Sequence, residues 1–462
     1  MSILGAIMTP HPPLILPEVG RGQEKGIAAT VAAMEQAAAF LHSLRPDTVV
    51  VLSPHTAVYA DYFHISPDEG AAGNFKKFGA GGVRVEAAYD AAFAAALAAL
   101  CEKEGVSAGT EGERDPALDH ATMIPLIFLE KAAGTLAKVV RIGISGLPPE
   151  EHYKFGMLIQ KTASLLNRRV AVIASGDLSH KLKEDGPYGL SPDGRAYDEK
   201  IMDVMGRAAF GELFSFTEDF CASAAECGHR SFLILAGCLD GLAVQAERLS
   251  YEGPFGVGYG VCTFVSGKLD AGRHFLDAHR EAVQRQTAES RAREDAYVKL
   301  ARQSFTAWVQ HRRHIGIPSG LPPEMLLRKA GVFVSLHKAG HLRGCIGTTT
   351  ATRPSIAEEI LQNAISACAN DPRFAPVKPE ELTEIECTVD VLGKAEPVES
   401  LDQLDVKRYG VIVQSGPQRG LLLPNLPGVD SVEQQVDIAR RKGNIAPGEP
   451  VTLQRFEVVR HY

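Results

Sequence analysis

The chain has 462 residues, of which 45% are hydrophobic and 23% charged, so each of two domains has enough apolar material for a packed core. A formal net charge of −8 without a long basic run argues against nucleic-acid binding, because phosphates are neutralised by clustered Lys and Arg. No stretch reaches the roughly 18 apolar residues of a membrane span, and residues 1–13 lack the basic start of a signal peptide. We therefore expect a cytoplasmic protein without membrane contact, whose eight cysteines are free thiols.

In the first part of the chain, short β-branched runs alternate with helix-like stretches. Strands are predicted at residues 2–8, 48–52, 140–144, 170–174 and 256–266. Helices are predicted at residues 26–44, 87–103, 121–132 and 150–167. This alternation predicts an α/β layer architecture over residues 1–267, with a parallel or mixed sheet flanked by helices.

A charged segment, 268–295, follows, and its first part (268–284) is interpreted as a linker with helical tendency. Beyond it the pattern changes and predicts a separate α+β domain at residues 285–462. We expect helices at 296–311 and 356–369, a Gly-rich turn at 340–347, and strands near 331–337, 384–392, 409–414 and 451–459.

Three histidines follow predicted strands directly: His11 in TPHPP, His55 in SPHT and His180 in SGDLSH. In open α/β sheets the ligand crevice lies beyond the carboxyl ends of the strands, so these side chains are expected to converge. The structural alternative for each is a surface or capping residue in a Pro-rich turn. Their equivalent topological places favour a shared site.

Imidazole suits iron, zinc and copper, and two histidines with one carboxylate leave coordination positions open for substrate and dioxygen. Glu226, in a small-residue stretch before the apolar run 232–239, is a candidate third ligand, and Cys227 is a softer alternative. Glu226 is also explained as a carboxylate at a helix N-terminus. His120 opens another helix after Asp119, a candidate N-cap, and a histidine beside a metal suits acid–base work.

The set PHPP, SPHT, LDHATMIPL, SGDLSH and ECGHRS resembles the class III extradiol (LigB-type) dioxygenases and their relatives, the Memo proteins, over roughly residues 1–267. The dioxygenase resemblance implies that His11, His55 and Glu226 bind iron and that His120 and His180 act as acid and base. In the Memo branch, His11, His55, His180 and Cys227 form the metal site. Because this sequence has both Glu226 and Cys227, both branches remain open.

The first branch implies an Fe(II)-dependent dioxygenase that acts on a catechol-like or aminophenol-like aromatic and dioxygen. The alternative is a Memo-like metal-binding scaffold or redox protein without ring cleavage, and zinc or copper on the same ligands is a further possibility. Related dioxygenases often assemble, so a homo-oligomer is expected. Aromatic residues near the histidine loops are candidates for the substrate pocket: Tyr59, Phe63, Phe75 and Tyr188.

The runs HLRGCIGT (341–348), NDPRF (370–374) and RGLLLPN (419–425) resemble the AMMECR family over about residues 285–462. Two glycines beside Cys345 and Ile346 are expected to form a tight turn that exposes the thiol near Arg343, whose charge favours the thiolate. The alternative is a cysteine buried in a packed turn. Fusion of these units resembles the AmmeMemoRadiSam system, which implies a radical S-adenosylmethionine protein as partner; no CxxxCxxC cluster motif is in this chain.

Overall fold

A computed structural model describes residues 2–338, 340–426 and 428–462. The chain divides into two compact units, Met1–His279 and Arg280–Tyr462. Part of the predicted linker is helical, because a single helix, Phe275–Arg293, runs across this division. Within the described ranges, we find no helix with the length and apolar character that crossing a membrane requires.

The first unit is built on a six-stranded mixed sheet. The strands of the unit are β1 (Ile3–Thr9), β2 (Thr48–Ser53), β3 (Phe63–His64), β4 (Gly70–Phe75), β5 (Ala80–Ala88), β6 (Ala108–Gly109), β7 (Lys138–Gly143), β8 (Val170–Ser175), β9 (Leu242–Glu252) and β10 (Tyr259–Leu269). The order in the main sheet is β7-β2-β8-β1-β10-β9. The first four strands are parallel, whereas β10 and β9 are antiparallel to their neighbours. The predicted mixed sheet is confirmed.

Helices cover both faces of this sheet. The helices up to the unit boundary are α1 (Pro17–Gly20), α2 (Ala28–Ser43), α3 (Ala91–Lys103), α4 (His120–Ala133), α5 (Pro149–Leu165), α6 (Pro192–Gly206), α7 (Glu218–Ala224) and α8 (His229–Cys238), and α9 (Phe275–Arg293) crosses that boundary. Alternate residues of a strand enter opposite cores: Val50 and Leu52 pack with α3, α5 and α8, whereas Val49 and Val51 pack with α2 and α4. Every residue of β2 and β8 is buried, which explains the continuous apolar runs VVVL and VAVIA within them.

The second unit is an α+β fold, as predicted. Its strands are β11 (Val332–Lys338), β12 (His341–Gly347), β13 (Ile385–Leu392), β14 (Glu396–Val398), β15 (Tyr409–Ser415), β16 (Gln418–Leu422) and β17 (Thr452–His461). Its helices are α10 (Ala296–His311), α11 (Pro323–Leu327), α12 (Ile356–Ala369) and α13 (Val432–Lys442). The strands form a curled antiparallel sheet in the order β12-β11-β13-β17-β15-β16, with β14 paired to β17.

The prediction of a Gly-rich turn at 340–347 is wrong, because HLRGCIG forms strand β12, paired with β11. Gly344 is required by packing rather than by a turn. A Cβ at this position would lie 2.2 Å from the carbonyl oxygen of Ala367 in α12. The glycine therefore lets a helix approach the strand closely.

Candidate metal centre

Three adjacent parallel strands bring the predicted histidines to one edge of the sheet. His11 follows β1, His55 follows β2 and His180 lies in the loop after β8, and these strands are neighbours in the order β2-β8-β1. His120 reaches the same edge as the first residue of α4. Asp119 caps that helix, as predicted, by accepting the Thr122 amide, and it also accepts a hydrogen bond from the Ser53 hydroxyl at 2.7 Å.

Three imidazoles converge within one small volume. Ligand-capable atoms of His11, His55 and His120 all lie within 4.8 Å of one another, and Nε2 of His55 is 3.1 Å from Nε2 of His11. His11 is buried, His120 is half-buried and His55 is exposed. This spacing of aromatic nitrogens suits a single metal ion reached from the His55 side.

Hydrogen bonding fixes the tautomer of His11. The Ser175 hydroxyl donates its one proton to the Ala121 carbonyl oxygen at 2.8 Å, so it accepts from Nδ1–H of His11 at 3.0 Å. The Nε2 atom of His11 then carries the lone pair and faces His55. A metal ligand held by a second hydrogen bond in this way is the usual arrangement for histidine.

Asp177 and Cys227 complete the surroundings of His11. Oδ1 of Asp177 accepts the His11 amide at 2.7 Å, and Oδ2 lies 4.0 Å from His11 Nε2. Sγ of Cys227 is 3.6 Å from the same Nε2 and accepts the Asp177 amide at 3.3 Å. A carboxylate and a thiol therefore stand beside the imidazoles. Asp177 was not singled out from the sequence, although it lies in the SGDLSH motif.

Glu226, the first choice for a third ligand, has its described contacts elsewhere. Its Oε2 accepts the backbone amide of His229 at 2.6 Å, at the start of α8. Burial raises the pKa of Glu226 to about 7, partly offset by that amide. This is the structural role that a helix N-terminus offers a carboxylate. Of the two neighbouring candidates, Cys227 is the one that the structure brings to His11.

The fourth predicted histidine, His180, belongs to the same cluster electrostatically but makes no described hydrogen bond through Nδ1, which is buried. Its charge and those of His55 and His120 add to burial in lowering the pKa of His11 well below its ordinary value. Burial also lowers the pKa values of His55 and His180, and that of His120 to about 4. The four imidazoles are therefore neutral near pH 7, the form that binds a metal.

The aromatic residues predicted to line a pocket divide into two groups. Phe63 and Phe75 are fully buried in the cores, so their prediction as pocket residues is wrong. The Tyr188 ring meets His180 edge-on at 5.4 Å, and Tyr59 donates its hydroxyl to the Gly112 carbonyl. Phe78, which the sequence did not single out, packs against His120 at 5.3 Å. It lies in a short 3-10 turn between β4 and β5.

Comparison with known proteins agrees with this geometry. The family described as "Catalytic LigB subunit of aromatic ring-opening dioxygenase" matches residues 5–262, and the AMMECR1 family matches residues 298–461. A protein of Clostridium acetobutylicum named Protein CA_C1420 is 40% identical over 479 residues, covering 100% of this chain and 99% of its own. The chain belongs to the LigB family. An AMMECR1 unit follows the LigB unit along the chain.

Further relatives match only part of the chain. A Thermotoga maritima protein is 47% identical over 170 residues, which span 36% of this chain and 98% of that protein. Among solved structures, uncharacterized protein PH0010 of Pyrococcus horikoshii is 32% identical and covers 36% of this chain and 88% of its own, with a TM-score of 0.34. Uncharacterized protein JW3007 of Escherichia coli K12 is 15% identical over 57% of this chain and 99% of its own, with a TM-score of 0.37.

The candidate site in the AMMECR1 unit differs from the prediction in its charged partner. Cys345 is half-exposed, but the guanidinium of Arg343 is bound to Glu381, at 2.9 Å and 3.0 Å, and to the carbonyl oxygens of Ala375 and Pro376. Arg373 lies beside the cysteine instead and donates to its carbonyl oxygen at 3.1 Å. Arg373 belongs to the NDPRF motif, which is distant from Cys345 along the chain, so the sequence alone did not show that the two residues are neighbours.

Proposed function

We propose that the LigB unit is a mononuclear non-haem Fe(II) centre that cleaves a catechol-like or aminophenol-like aromatic with dioxygen. The observation that carries the proposal is the 3.1 Å approach of the Nε2 atoms of His11 and His55, with His120 inside the same 4.8 Å cluster. The donor set fits the metal, because His11 presents a lone pair and the imidazoles are neutral. When bound, Fe(II) would hold diol and dioxygen together and acidify the phenol.

In this proposal His11 and His55 are the nitrogen ligands and Cys227 is the nearest candidate for the third position. Burial raises the pKa of the Cys227 thiol well above its ordinary value, and Asp177 and Glu226 add to the shift. The thiol is therefore protonated in the metal-free site, and Cys227 would release its proton on becoming a metal ligand. Loading with Cys227 as ligand is expected to be favoured by higher pH.

His180 and His120 have different parts in the proposed reaction. His180 is neutral, its ring is oriented by the backbone at Ala225 and Leu178, and it interacts electrostatically with His55, so it is the candidate general base for a phenolic proton. His120 is neutral and packs under Phe78, so it supplies either a further ligand or a proton carrier near the substrate. Both assignments rest on proximity to the His11–His55 pair.

The test is anaerobic reconstitution of the full chain with Fe(II), followed by oxygen uptake with a panel of catechols and aminophenols. We expect one dioxygen consumed per aromatic consumed. His11→Ala and His55→Ala should lose iron. His180→Ala should keep iron and slow turnover by about 10²–10⁴-fold, the usual contribution of a general base. Full turnover by His180→Ala would overturn its role, and unchanged iron in both ligand variants would overturn the metal assignment.

A second candidate is a Memo-like metal-binding or redox protein without ring cleavage, and the 3.6 Å contact between Cys227 and His11 favours it. The same experiment separates the two. Stoichiometric metal binding with no oxygen uptake for any aromatic supports this second candidate. Preferential retention of copper or zinc over iron after dialysis would point the same way.

A further inference from the structure

The curled sheet of the AMMECR1 unit leaves a seam between its two end strands, β12 and β16. These strands are not paired with each other, yet they approach at the chain just beyond β12, where Nη1 of Arg419 lies 3.5 Å from the Thr349 hydroxyl. Clefts at the open side of a curled or barrel-like sheet are common ligand sites. The seam comprises Cys345, Thr349, Arg373, Arg419, Lys442 and their immediate surroundings.

Cys345 lies in the β12 wall of the seam, and its backbone is held on both sides. Its amide donates to Oδ2 of Asp371 at 2.9 Å, and its carbonyl oxygen accepts from Arg373 at 3.1 Å. The Ser335 hydroxyl on β11 donates to Sγ at 3.2 Å. A half-exposed thiol is thus fixed in direction and supplied with a hydroxyl donor.

The other wall is set by an unusually close backbone contact. A Cβ on Gly420 would lie 1.8 Å from the Ala439 carbonyl oxygen, and one on Gly443 would lie 2.7 Å from the Gly420 nitrogen. Arg419 and Lys442 directly precede these glycines, so both cations rise from the point where α13 ends against β16. The Lys442 side chain is exposed, and it lies close enough to Arg373 and Cys345 to interact with them electrostatically.

The charges of the seam do not balance. Arg373 is paired with Asp371 at 2.7 Å, and that carboxylate also accepts the Cys345 amide. Over residues 2–338, 340–426 and 428–462, neither Arg419 nor Lys442 has a carboxylate within ion-pair distance. Two exposed cations without an ion-pair partner among the described residues therefore lie along the seam that contains the fixed thiol, a charge pattern that a small anion neutralises.

We propose that the seam is a binding site for a small carboxylate- or phosphate-bearing ligand, held by Arg419 and Lys442 against the Cys345 thiol. The ligand's anionic group bridges the two walls of the sheet, and its remaining atoms lie over Sγ. The proposal is independent of the metal centre, because all its residues belong to the second unit.

The test uses an anion that also reports on the thiol. Iodoacetate and iodoacetamide alkylate the same sulfur in the same way: the S–C bond forms, iodide leaves and the thiol proton goes to solvent. Both alkylation rates at Cys345 are followed by peptide mass spectrometry on the full chain. The iodoacetate rate divided by the iodoacetamide rate is the iodoacetate preference, and it is compared with the same ratio for 2-mercaptoethanol, a neutral thiol. This division cancels the thiolate fraction and the accessibility of Cys345.

We expect the iodoacetate preference at Cys345 to exceed that of 2-mercaptoethanol by about fivefold or more at low salt and to fall in high salt. The iodoacetate rate should saturate, and inorganic phosphate or acetate should slow it, which also tells whether phosphate or carboxylate is the better ligand. K442Q and R419Q should each lower the preference several-fold.

Lys407 gives the matched control, since it is exposed at the opposite end of β15 from the hairpin that leads to Arg419. K407Q should leave the preference unchanged. A preference at Cys345 equal to that of 2-mercaptoethanol, or one that K407Q lowers as much as K442Q and R419Q do, would overturn the proposal. So would a rate that neither phosphate nor acetate slows.

Discussion

Cys227 and Glu226 are neighbours in sequence with different surroundings. The thiol lies 3.6 Å from His11 Nε2, whereas the carboxylate accepts the His229 amide at 2.6 Å. We predict that Cys227→Ser lowers metal affinity by about tenfold or more, because the ligand nearest His11 is exchanged for a weaker one. Glu226→Gln is the matched control and should retain metal, with a small loss of stability. Metal content after dialysis against a weak chelator measures both.

If both variants retain as much metal as the original chain, neither side chain binds the metal. Loss of metal from Glu226→Gln alone would reverse the assignment and make Glu226 the third ligand. The comparison works because each variant keeps the size of the side chain it replaces.

Asp177 links His11 and Cys227, because its carboxylate accepts the His11 amide and its own amide donates to the Cys227 sulfur. Burial raises its pKa to about 7. Asp177→Asn keeps an acceptor for the His11 amide but removes the negative charge 4.0 Å from His11 Nε2. We predict a fall in metal affinity of about 10–100-fold, as is usual for charged partners of metal ligands.

The thermal midpoint of metal-free Asp177→Asn should stay close to that of the original chain, because the side chain at position 177 still accepts the hydrogen bond from the His11 amide. Weakened metal binding together with a retained midpoint separates an electrostatic role from a packing role. A large drop in the midpoint would instead assign Asp177 to the fold.

At the scale of elements, the site depends on two backbones that touch without side chains. Gly176 follows β8 and Gly228 precedes α8, and a Cβ on Gly176 would lie 2.1 Å from the Gly228 Cα. This contact brings Asp177 and Cys227 together. We predict that Gly176→Ala destabilises the LigB unit by about 1–3 kcal/mol, the usual cost of forced overpacking, and reduces bound metal.

Gly82→Ala is the matched control, because nothing lies within 4 Å of a Cβ at that position. It should leave both the thermal midpoint and metal content unchanged. A Gly176→Ala protein that matched Gly82→Ala in both measurements would show that the loop and helix separate without consequence for the site.

The sequence alone predicts those strands and helices whose positions follow from local residue patterns. The placement of His11 and His55 at one sheet edge follows from the sequence, because each comes directly after a buried parallel strand, whereas their role as ligands stays a prediction. The choice between Glu226 and Cys227 was not predictable, since consecutive side chains point apart and the turn into α8 decides which one faces His11. The strand containing Cys345 was mistaken for a turn because glycine signals both turns and close packing, and only the position of α12 distinguishes them.

At the scale of the whole chain, acid sensitivity should differ between the two units. His152 is fully buried, with Nδ1 facing the Pro148 carbonyl oxygen and Nε2 accepting the Ser145 amide, and burial lowers its pKa to about 4. In the unfolded chain a histidine binds its proton near pH 6.5. The unfolded state therefore binds more protons between these values, and stability falls as pH drops from 6.5 toward 4.

We predict that the region around α5 loses about 2 kcal/mol between pH 7 and pH 5 from His152 alone. Hydrogen exchange of α5 peptides, at equal intrinsic exchange, measures the loss, and His152→Gln should flatten the pH dependence while being less stable at pH 7. The one Trp of the chain, Trp308, lies in the second unit, so its fluorescence serves as an internal control. An unchanged pH dependence in His152→Gln would refute the prediction.

The contacts around His11 form late when the LigB unit folds. His11 meets Asp177 across 166 positions of chain and Cys227 across 216. Contacts of such long sequence separation form late in folding, because closing large loops costs entropy before it is repaid. Under the proposed function, a metal ion would therefore bind only after the LigB unit has folded, and it would stabilise the folded unit but not the unfolded chain.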